Sequence, residues 1–237
     1  MPSEFDRYVD TYKEIINRGA AITGESFEYF IDLRLRLLAE RLAETGEPTP
    51  RKVLDFGCGI GETERIMRDR FPEARIDAID SSPESIRAAD GLGLRDVTFH
   101  ASDCVELPFP AASFDLIYSN GTFHHIDHGR HPRVFRELAR VLRPGGHLFV
   151  FENNPLNPLT VLGMKRNPFD KGARMVPPWY LRRLQRDAGL GARAPSYYVF
   201  FPKHLKALRW TEKHLRGVPL GAQYYVWGTK PSASAPG

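Results

Sequence analysis

Val53-Leu54-Asp55-Phe56-Gly57-Cys58-Gly59-Ile60-Gly61 is the stretch from which the fold can be predicted. It is a short apolar run that ends in three closely spaced glycines, and a helical pattern follows it. Glycine allows a sharp turn and a close approach of the backbone, so backbone amides can face a ligand. The stretch therefore predicts a strand, a turn and a helix that together bind a nucleotide-like molecule.

A second apolar run, residues 75–79, ends at Asp80. An acidic residue at the tip of the second strand of a βαβ unit can accept hydrogen bonds from ribose hydroxyls. The dinucleotide fingerprint G-x-G-x-x-G would require glycine or alanine at position 62, where this chain has Glu62. A nicotinamide oxidoreductase is therefore disfavoured.

The acidic-x-G-x-G-x-G pattern of residues 55–61 resembles the first motif of the class I S-adenosylmethionine-dependent methyltransferases. Specific motifs carry the resemblance from about Val53 to Glu152. It implies an α/β fold with a Rossmann-like, seven-stranded, mostly parallel sheet, helices on both faces and an antiparallel last strand. It also implies S-adenosylmethionine as cofactor and S-adenosylhomocysteine as product.

The chain itself shows the alternation that a parallel sheet requires. We predict strands near 52–56, 75–80, 97–100, 114–119 and 147–152, with helices near 63–70, 83–89 and 132–142. A helix near 179–188, an apolar run at 197–201, a helix near 203–215 and a last strand near 223–228 follow. Two additional helices, at 5–16 and 26–42, precede the first strand. Between residues 153 and 178 we find five prolines and no clean periodicity.

These patterns divide the chain into three parts. Residues 1–46 are expected to form a helical lid packed on the core, and residues 47–229 the methyltransferase domain, in which 153–178 covers the acceptor side. Residues 230–237 are expected to form a flexible tail. The aromatic residues proposed for the lid or the substrate site are Tyr8, Tyr12, Tyr29 and Phe30, although aromatic residues at helical spacing also occur in cores.

Composition sets further limits on the function. Of 237 residues, 42% are hydrophobic and 26% charged, which is typical of a globular protein, and the net charge is +4. We find neither an apolar run long enough for a membrane span nor a signal-peptide pattern, so we expect a soluble, cytoplasmic protein. Two cysteines cannot build a disulfide framework or a tetrahedral metal site. The sequence allows a homodimer without predicting one.

The resemblance assigns the cofactor site residue by residue. Gly57, Gly59 and Gly61 would let the backbone approach the amino-acid part of the cofactor, and Asp55 would order this loop or reach the cofactor ammonium through water. Asp80 would hold the ribose. The full predicted cofactor set is Asp55, Gly57, Cys58, Gly59, Gly61, Asp80, Ser81, Ser102, Asp103, Cys104, Ser119 and Asn120.

Polar residues after the fourth and fifth strands are the candidates for chemistry. His125, and with less support His124, could remove a proton from the acceptor, since histidine titrates near neutral pH. Alternatively, one of the two packs against the turn. Glu152, Asn153 and Asn154 either bind the acceptor or cap the turn. Only Glu152 suggests a carboxylate ligand here, so we predict no metal site.

The leading hypothesis is methyl transfer to a small-molecule acceptor at oxygen, nitrogen or carbon. A nucleic-acid methyltransferase is disfavoured, because Asn120-Gly121-Thr122-Phe123 replaces the Asn/Asp-Pro-Pro-aromatic motif of amino-directed members and no basic module is appended. The remaining alternative is a fold that binds adenosylmethionine without catalysis or for another reaction, such as cyclisation.

Overall fold

A single mixed sheet forms the centre of the computed structural model, which describes residues 24–232. Its order is β3-β2-β1-β4-β5-β8-β6, with β7 also paired to β8. The strands are β1 Lys52–Phe56, β2 Arg75–Asp80, β3 Val97–Ala101, β4 Phe114–Asn120, β5 Leu142–Asn153, β6 Gly191–Ala192, β7 Ser196–Tyr198 and β8 Gln223–Thr229. The predicted first helix with Tyr8 and Tyr12, and most of the predicted tail, lie outside the described residues.

Strand direction agrees with the predicted topology. Strands β1 to β5 are parallel to their neighbours, whereas β8 pairs with β5 in antiparallel register, with Val150 opposite Val226. The short strands β6 and β7 both pair with β8, β6 near its end and β7 near its start. They therefore occupy one position at the sheet edge, and the sheet has seven positions. The predicted Rossmann-like fold with an antiparallel last strand is confirmed.

Helices cover both faces of this sheet. They are α1 Phe27–Thr45, α2 Glu62–Arg70, α3 Pro83–Asp90, α4 His131–Val141, α5 Pro158–Arg166, α6 Pro178–Asp187 and the short α7 Glu212–Leu215. Buried residues of α1 and α2 pack on one face, and those of α4 and α6 pack on the other. Between residues 24 and 232, three 3-10 segments lie in the connections: Phe123–His125, Pro168–Asp170 and Lys203–Thr211.

Helix α1 follows directly from its sequence. The Ser26 side chain caps it by accepting a hydrogen bond from the backbone N–H of Tyr29, and Gly46 ends it in a left-handed conformation with φ of 69°. Ile31, Leu35 and Leu38 form a stripe at helical spacing and are completely buried. Burying three such side chains stabilises the fold by roughly 5 kcal/mol before entropy is counted.

The structure differs from the predicted elements after β5. Residues 153–178 contain α5, which begins at the N-cap Asn157, although the sequence shows no helical periodicity there. The apolar run at 197–201 is a strand only as far as Tyr198, because Val199 has a positive φ of 60°. Most of the helix predicted at 203–215 is 3-10 rather than α.

Within residues 24–232, no helix combines the length and the apolar character needed to cross a bilayer. This finding agrees with the absence of a long apolar run in the sequence.

Candidate active site

One large cavity lies at the carboxyl ends of the parallel strands. Its volume is about 720 Å³, within the usual range for small-molecule sites. Residues from the ends of β1, β2, β4 and β5 line it, together with residues of α1, of α5 and of the segment 199–204. Ligands of open α/β sheets bind at this edge, because the turns after parallel strands meet there.

The glycine turn after β1 forms one wall of the cavity. Gly57 has φ of 86°, and a Cβ at this position would overlap the side chain of Thr122. Gly59 also has a positive φ, of 55°, and lines the cavity. Gly61 does not line it; a Cβ there would lie 3.0 Å from the Ala89 Cβ, so this glycine lets α3 pack closely.

Asp80 at the end of β2 holds this turn in place. Its Oδ2 accepts a hydrogen bond from the backbone N–H of Gly59 at 2.9 Å, and its Oδ1 accepts one from Ser82 N–H at 2.9 Å. A carboxylate has about four acceptor positions, which is more than these two hydrogen bonds use. The predicted residue Ser81 also lines the cavity.

Asp55 faces the cavity from β1 and is only 1% exposed. Burial, followed by repulsion from Glu64, raises the pKa of Asp55 well above its usual value. Glu64 on α2 is completely buried, and burial raises its pKa to about 7. A hydrogen bond between the two side chains also contributes to both pKa values, so the Asp55 and Glu64 carboxyl groups share a proton. The sequence motif pointed to Asp55 but gave no signal for Glu64.

The remaining predicted cofactor residues divide between the cavity and its surroundings. Cys58, Asp103, Cys104 and Asn120 line the cavity, whereas Ser102 and Ser119 do not. Ser119 is completely buried, with no hydrogen-bond partner for its hydroxyl within the described part of the chain. Burial raises the pKa of both cysteine thiols, so neither is a thiolate nucleophile at neutral pH.

The two adjacent histidines in the turn after β4 have pKa values that are shifted in opposite directions. His124 is 4% exposed; its Nδ1 lies 2.6 Å from Glu152 Oε2 and its Nε2 lies 3.3 Å from Asp170 Oδ1. Burial alone would lower the pKa of His124, but the attraction of Glu152 and the hydrogen bonds to Asp170 and Glu152 raise it to about 10. His124 is therefore an imidazolium at neutral pH.

His125 is neutral under the same conditions. Burial, and then repulsion from the charged His124, lower the pKa of His125 to about 4, against the attraction of Asp170 and Glu152. Its Nε2 lies 3.7 Å from Asp170 Oδ1, and the residue lines the cavity. Glu152 is fixed from the other side, because its Oε1 accepts the backbone N–H of Phe123 at 2.8 Å.

The spacing of this cluster would also suit a cation. One ligand atom from each of His124, His125 and Asp170 lies within 4.8 Å of the others. A proton on His124 already accounts for the arrangement, since the imidazolium lies between Glu152 and Asp170 and offsets part of their negative charge. We therefore interpret the cluster as a proton-sharing network, and the absence of a metal stays a prediction.

The other end of the cavity is lined by residues of α1 and of the segments that follow β5. Of the residues proposed for the lid or the acceptor, Phe30 and Asn153 line it, whereas Tyr29 and Asn154 do not. The amide of Asn154 is buried and donates to the carbonyls of Pro219 and Gly221, so it ties the turn 217–222 to the end of β5.

Several residues that line the cavity were not predicted from the sequence. Arg34 is 6% exposed; its Nε donates to the Tyr198 hydroxyl and its Nη2 to Gln223 Oε1, both at 3.2 Å. The others include Asp170, His204, Gln223, Asn157 and Met164. The signal available in sequence for Arg34 was a charged residue within the apolar stripe of α1.

Comparison with known proteins identifies the family. A family model described as a methyltransferase domain matches residues 53–146. Trans-aconitate 2-methyltransferase of Azoarcus sp. (strain BH72) is 32% identical over 188 residues, which cover 76% of this chain and 66% of that protein. The chain belongs to the class I S-adenosylmethionine-dependent methyltransferases. It spans about half the length of several other curated relatives that it matches.

Solved structures share the fold of this chain. A possible histamine N-methyltransferase from Thermotoga maritima has a TM-score of 0.65 at 21% identity, over 95% of this chain and 98% of that one. A [4+2]-cyclase has a TM-score of 0.67 at 19% identity, over 98% of both chains. At these identities, the likeness shows the fold.

The described residues fit the cofactor of this family. S-adenosylmethionine carries an ammonium and a sulfonium, and the buried carboxyl group of Asp55 lies at the cavity wall. Because glycine has no Cβ, the backbone turn at Gly57 can lie close to Thr122. Asp80, at the end of β2, holds this turn through its hydrogen bond with Gly59. These residues would hold the cofactor at the β1 and β2 end of the cavity.

Proposed function

We propose that this chain transfers a methyl group from S-adenosylmethionine to a small-molecule acceptor by in-line displacement. The observation that carries the proposal is that one cavity joins the glycine turn and Asp80 to a second, separately lined end. Both reactants of a group transfer need to lie in one enclosed space, where their reacting atoms can be aligned. A cavity for the cofactor alone would not need the second end.

When bound, the cofactor supplies an activated methyl group on a sulfonium, so the protein needs no covalent catalysis. Asp80 would hold the ribose hydroxyls, and the Gly57 to Gly59 backbone would hold the amino-acid part. Asp55 would face the ammonium, and that positive charge would favour ionisation of the Asp55 carboxyl. Asp103 and Cys104 would line the adenine end.

His125 would orient the acceptor and take its proton. An acceptor hydroxyl becomes strongly acidic once it gains the methyl group, so a weak base is sufficient to remove its proton late in the reaction. His125, whose pKa is lowered to about 4, meets this requirement because it is neutral and lines the cavity. His124, held between Glu152 and Asp170, would act as a positioning residue.

The acceptor end suggests a molecule with an apolar body and an anionic group. Phe27, Phe30, Met164 and Phe200 supply apolar wall, whereas Arg34 places a buried positive charge in it. A guanidinium in the cavity wall can bind a carboxylate through two parallel hydrogen bonds. The Azoarcus relative is named for trans-aconitate, a carboxylate, which belongs to the same charge class.

Label transfer from methyl-labelled S-adenosylmethionine to a panel of paired acceptors, each as a carboxylate and as its neutral amide, tests the proposal. We expect transfer to carboxylates, and we expect Arg34→Met to lower kcat/KM for them at least tenfold while affinity for S-adenosylhomocysteine stays within about threefold. Arg36→Met is the matched control, because Arg36 lies on the same helix and pairs with Asp32 at the surface.

Three results would contradict parts of the proposal. Failure of the folded protein to bind S-adenosylhomocysteine in calorimetry would remove the assigned cofactor site. Conversion of an acceptor without incorporation of label would instead favour a non-methylating reaction, and equal losses in Arg34→Met and Arg36→Met would remove the role of Arg34.

A further inference from the structure

Exposed large apolar side chains are concentrated on two segments beside the cavity. Of the ten such residues within the described range, eight lie in these segments: Leu156, Leu159, Leu162, Leu205, Leu208, Trp210, Val218 and Leu220. Leu159 is 77% exposed and Trp210 is 70% exposed. Scattered exposed leucines are normal, but a concentration of this kind indicates an interaction surface.

Hydrogen bonds join the two segments into one surface. Asn157 Nδ2, at the start of α5, donates to the carbonyl of Leu220 at 2.7 Å, and Thr160 Oγ1 donates to the carbonyl of Ala222 at 2.9 Å. The turn at 217–222 continues directly from α7 and the 3-10 segment before it. We call residues 156–166 and 203–220 the mouth surface.

The mouth surface borders the opening of the cavity at its acceptor end. Leu159 lines the cavity and yet is mostly exposed, and His204 is also both exposed and part of the lining. A residue with both properties lies where the cavity meets solvent. An acceptor that enters here passes the exposed leucines before it reaches Arg34.

Charge on the mouth surface is strongly positive. It contains seven Lys and Arg residues and one acid, Glu212, whereas the whole chain has 33 basic and 29 acidic residues. The carboxylate of Glu212 accepts the backbone N–H groups of Phe200 and Phe201, so it is engaged by the protein itself. The basic residues that are exposed here are Lys165, Arg166, Lys203, Lys206 and Lys213.

We propose that the mouth surface binds an anionic phospholipid bilayer, so that the cavity opens toward the membrane. Leu159, Trp210 and Leu220 would enter the boundary between headgroups and acyl chains, and the lysines would reach the lipid phosphates. A protein partner fits less well, since lysine is depleted from protein interfaces. The consequence is that acceptors are amphiphiles taken from the membrane.

Co-sedimentation of the full chain with vesicles tests this proposal without any activity, so its failure is separate from failure of the proposed methyl transfer. We expect binding to vesicles of phosphatidylcholine with one quarter phosphatidylglycerol, and at least tenfold weaker binding to phosphatidylcholine alone. Raising NaCl from 0.1 to 0.5 M should weaken the binding to anionic vesicles, because salt screens the lysines.

Matched variants locate the contact. Trp210→Ser and the pair Lys206→Glu with Lys213→Glu should each lower the fraction bound at least fivefold. Trp179→Ser is the control, since Trp179 is 60% exposed on α6 outside the mouth surface. In a Trp179→Phe variant, emission should shift to shorter wavelength with anionic vesicles, because Trp210 is then the exposed tryptophan and Trp227 is 3% exposed.

Three results would overturn the proposal. One is equal sedimentation with both vesicle types, and another is equal loss in Trp210→Ser and Trp179→Ser. The third is a dimer that Trp210→Ser dissociates while neither form sediments with vesicles, which would assign the mouth surface to a second copy of the chain. Circular dichroism of each variant shows whether it is folded.

Discussion

At the level of single residues, the environments of His124 and His125 separate two side chains that have the same pKa in a free peptide. We predict that the His124 ring remains charged and the His125 ring remains neutral from pH 6 to 9, because the pKa values are about 10 and about 4. Nitrogen chemical shifts of labelled histidine measure both states, and Asp170→Asn should lower the pKa of His124.

The raised pKa of His124 also makes the free energy of unfolding depend on pH. The folded-state pKa of His124 lies above the unfolded value of about 6.5, so its contribution is complete below that pH and is lost as the pH rises toward 10. Treatment with EDTA should leave both histidine signals unchanged. A change on chelation, or titration of both rings near pH 6.5, would refute the proton-sharing network.

The buried pair of Asp55 and Glu64 leads to a second residue-scale prediction. The pKa of Glu64 is raised to about 7, so the folded state retains a proton that the unfolded state has lost above about pH 4.5. The free-energy cost of keeping Glu64 buried therefore grows as the pH rises from about 4.5 to about 7. Glu64→Gln should raise the free energy of unfolding by about 2 kcal/mol at pH 8 and by little at pH 4, as measured by urea denaturation.

The exposed Glu73 just beyond α2 provides the control for that change. Glu73→Gln should alter the unfolding free energy by less than about 0.5 kcal/mol at either pH. If Glu64→Gln changes the unfolding free energy equally at both values of pH, then the pKa of Glu64 does not differ between the folded and unfolded states, and the interpretation is wrong.

The sequence predicted those site residues that lie in a local pattern and missed those that reach the site through packing of distant elements. Asp55, Gly57 and Asp80 lie within a local strand–turn–helix pattern, so their spacing alone predicts that they meet at the sheet edge. Arg34 and Asp170 come from α1 and from the 3-10 segment after α5, and they reach the cavity only through packing of those elements. The local spacing of residues does not predict how these elements pack against the rest of the fold.

At the scale of elements, the turn between β1 and α2 allows a matched comparison of two glycines. Gly57 and Gly46 both have positive φ, but a Cβ would overlap Thr122 at Gly57 and would meet no atom within 4 Å at Gly46. Gly46→Ala should cost about 1 kcal/mol of unfolding free energy. Gly57→Ala should cost about 2 to 4 kcal/mol and lower affinity for S-adenosylhomocysteine at least tenfold.

Thermal unfolding and calorimetry measure these two quantities. Because Thr122 Oγ1 donates to the Phe56 carbonyl at 3.2 Å, displacing Thr122 should disturb the end of β1 as well as the turn. Equal stability losses at both positions, with unchanged affinity in Gly57→Ala, would show that the close approach of Thr122 is not required for the site.

Helix α5 was not predicted from the sequence, and its exposed side chains are the reason. An amphipathic stripe is the main sequence signal for a helix, but Leu159 and Leu162 of α5 are exposed, so their spacing does not follow a buried face. Asn157 followed by Pro158 was a usable signal, because it combines an N-cap with proline at the first helical position. The exposure of Leu159 and Leu162 removed the amphipathic pattern of this helix. It is also part of the evidence that the mouth surface is an interaction surface.

At the scale of the whole molecule, the cavity joins elements that are distant in the chain, so a ligand within it should stabilise the entire fold. Its lining comes from α1, the β1 and β2 turns, the turn after β4, α5 and residues 199–204. A ligand present at 100 times its dissociation constant adds about 2.7 kcal/mol to the free energy of unfolding. For a chain of this size, that corresponds to a rise in melting temperature of roughly 5 to 10 °C.

We therefore predict that S-adenosylhomocysteine raises the melting temperature by this amount and slows proteolysis within residues 153–178, whose helix α5 forms part of the wall. Asp80→Ala should abolish both effects, because it removes the carboxylate that holds Gly59 and would hold the ribose. Asp187→Ala on α6, which is exposed and pairs with Arg183, should leave both effects intact. Stabilisation of the Asp80→Ala variant as large as that of the unsubstituted chain would place the ligand elsewhere.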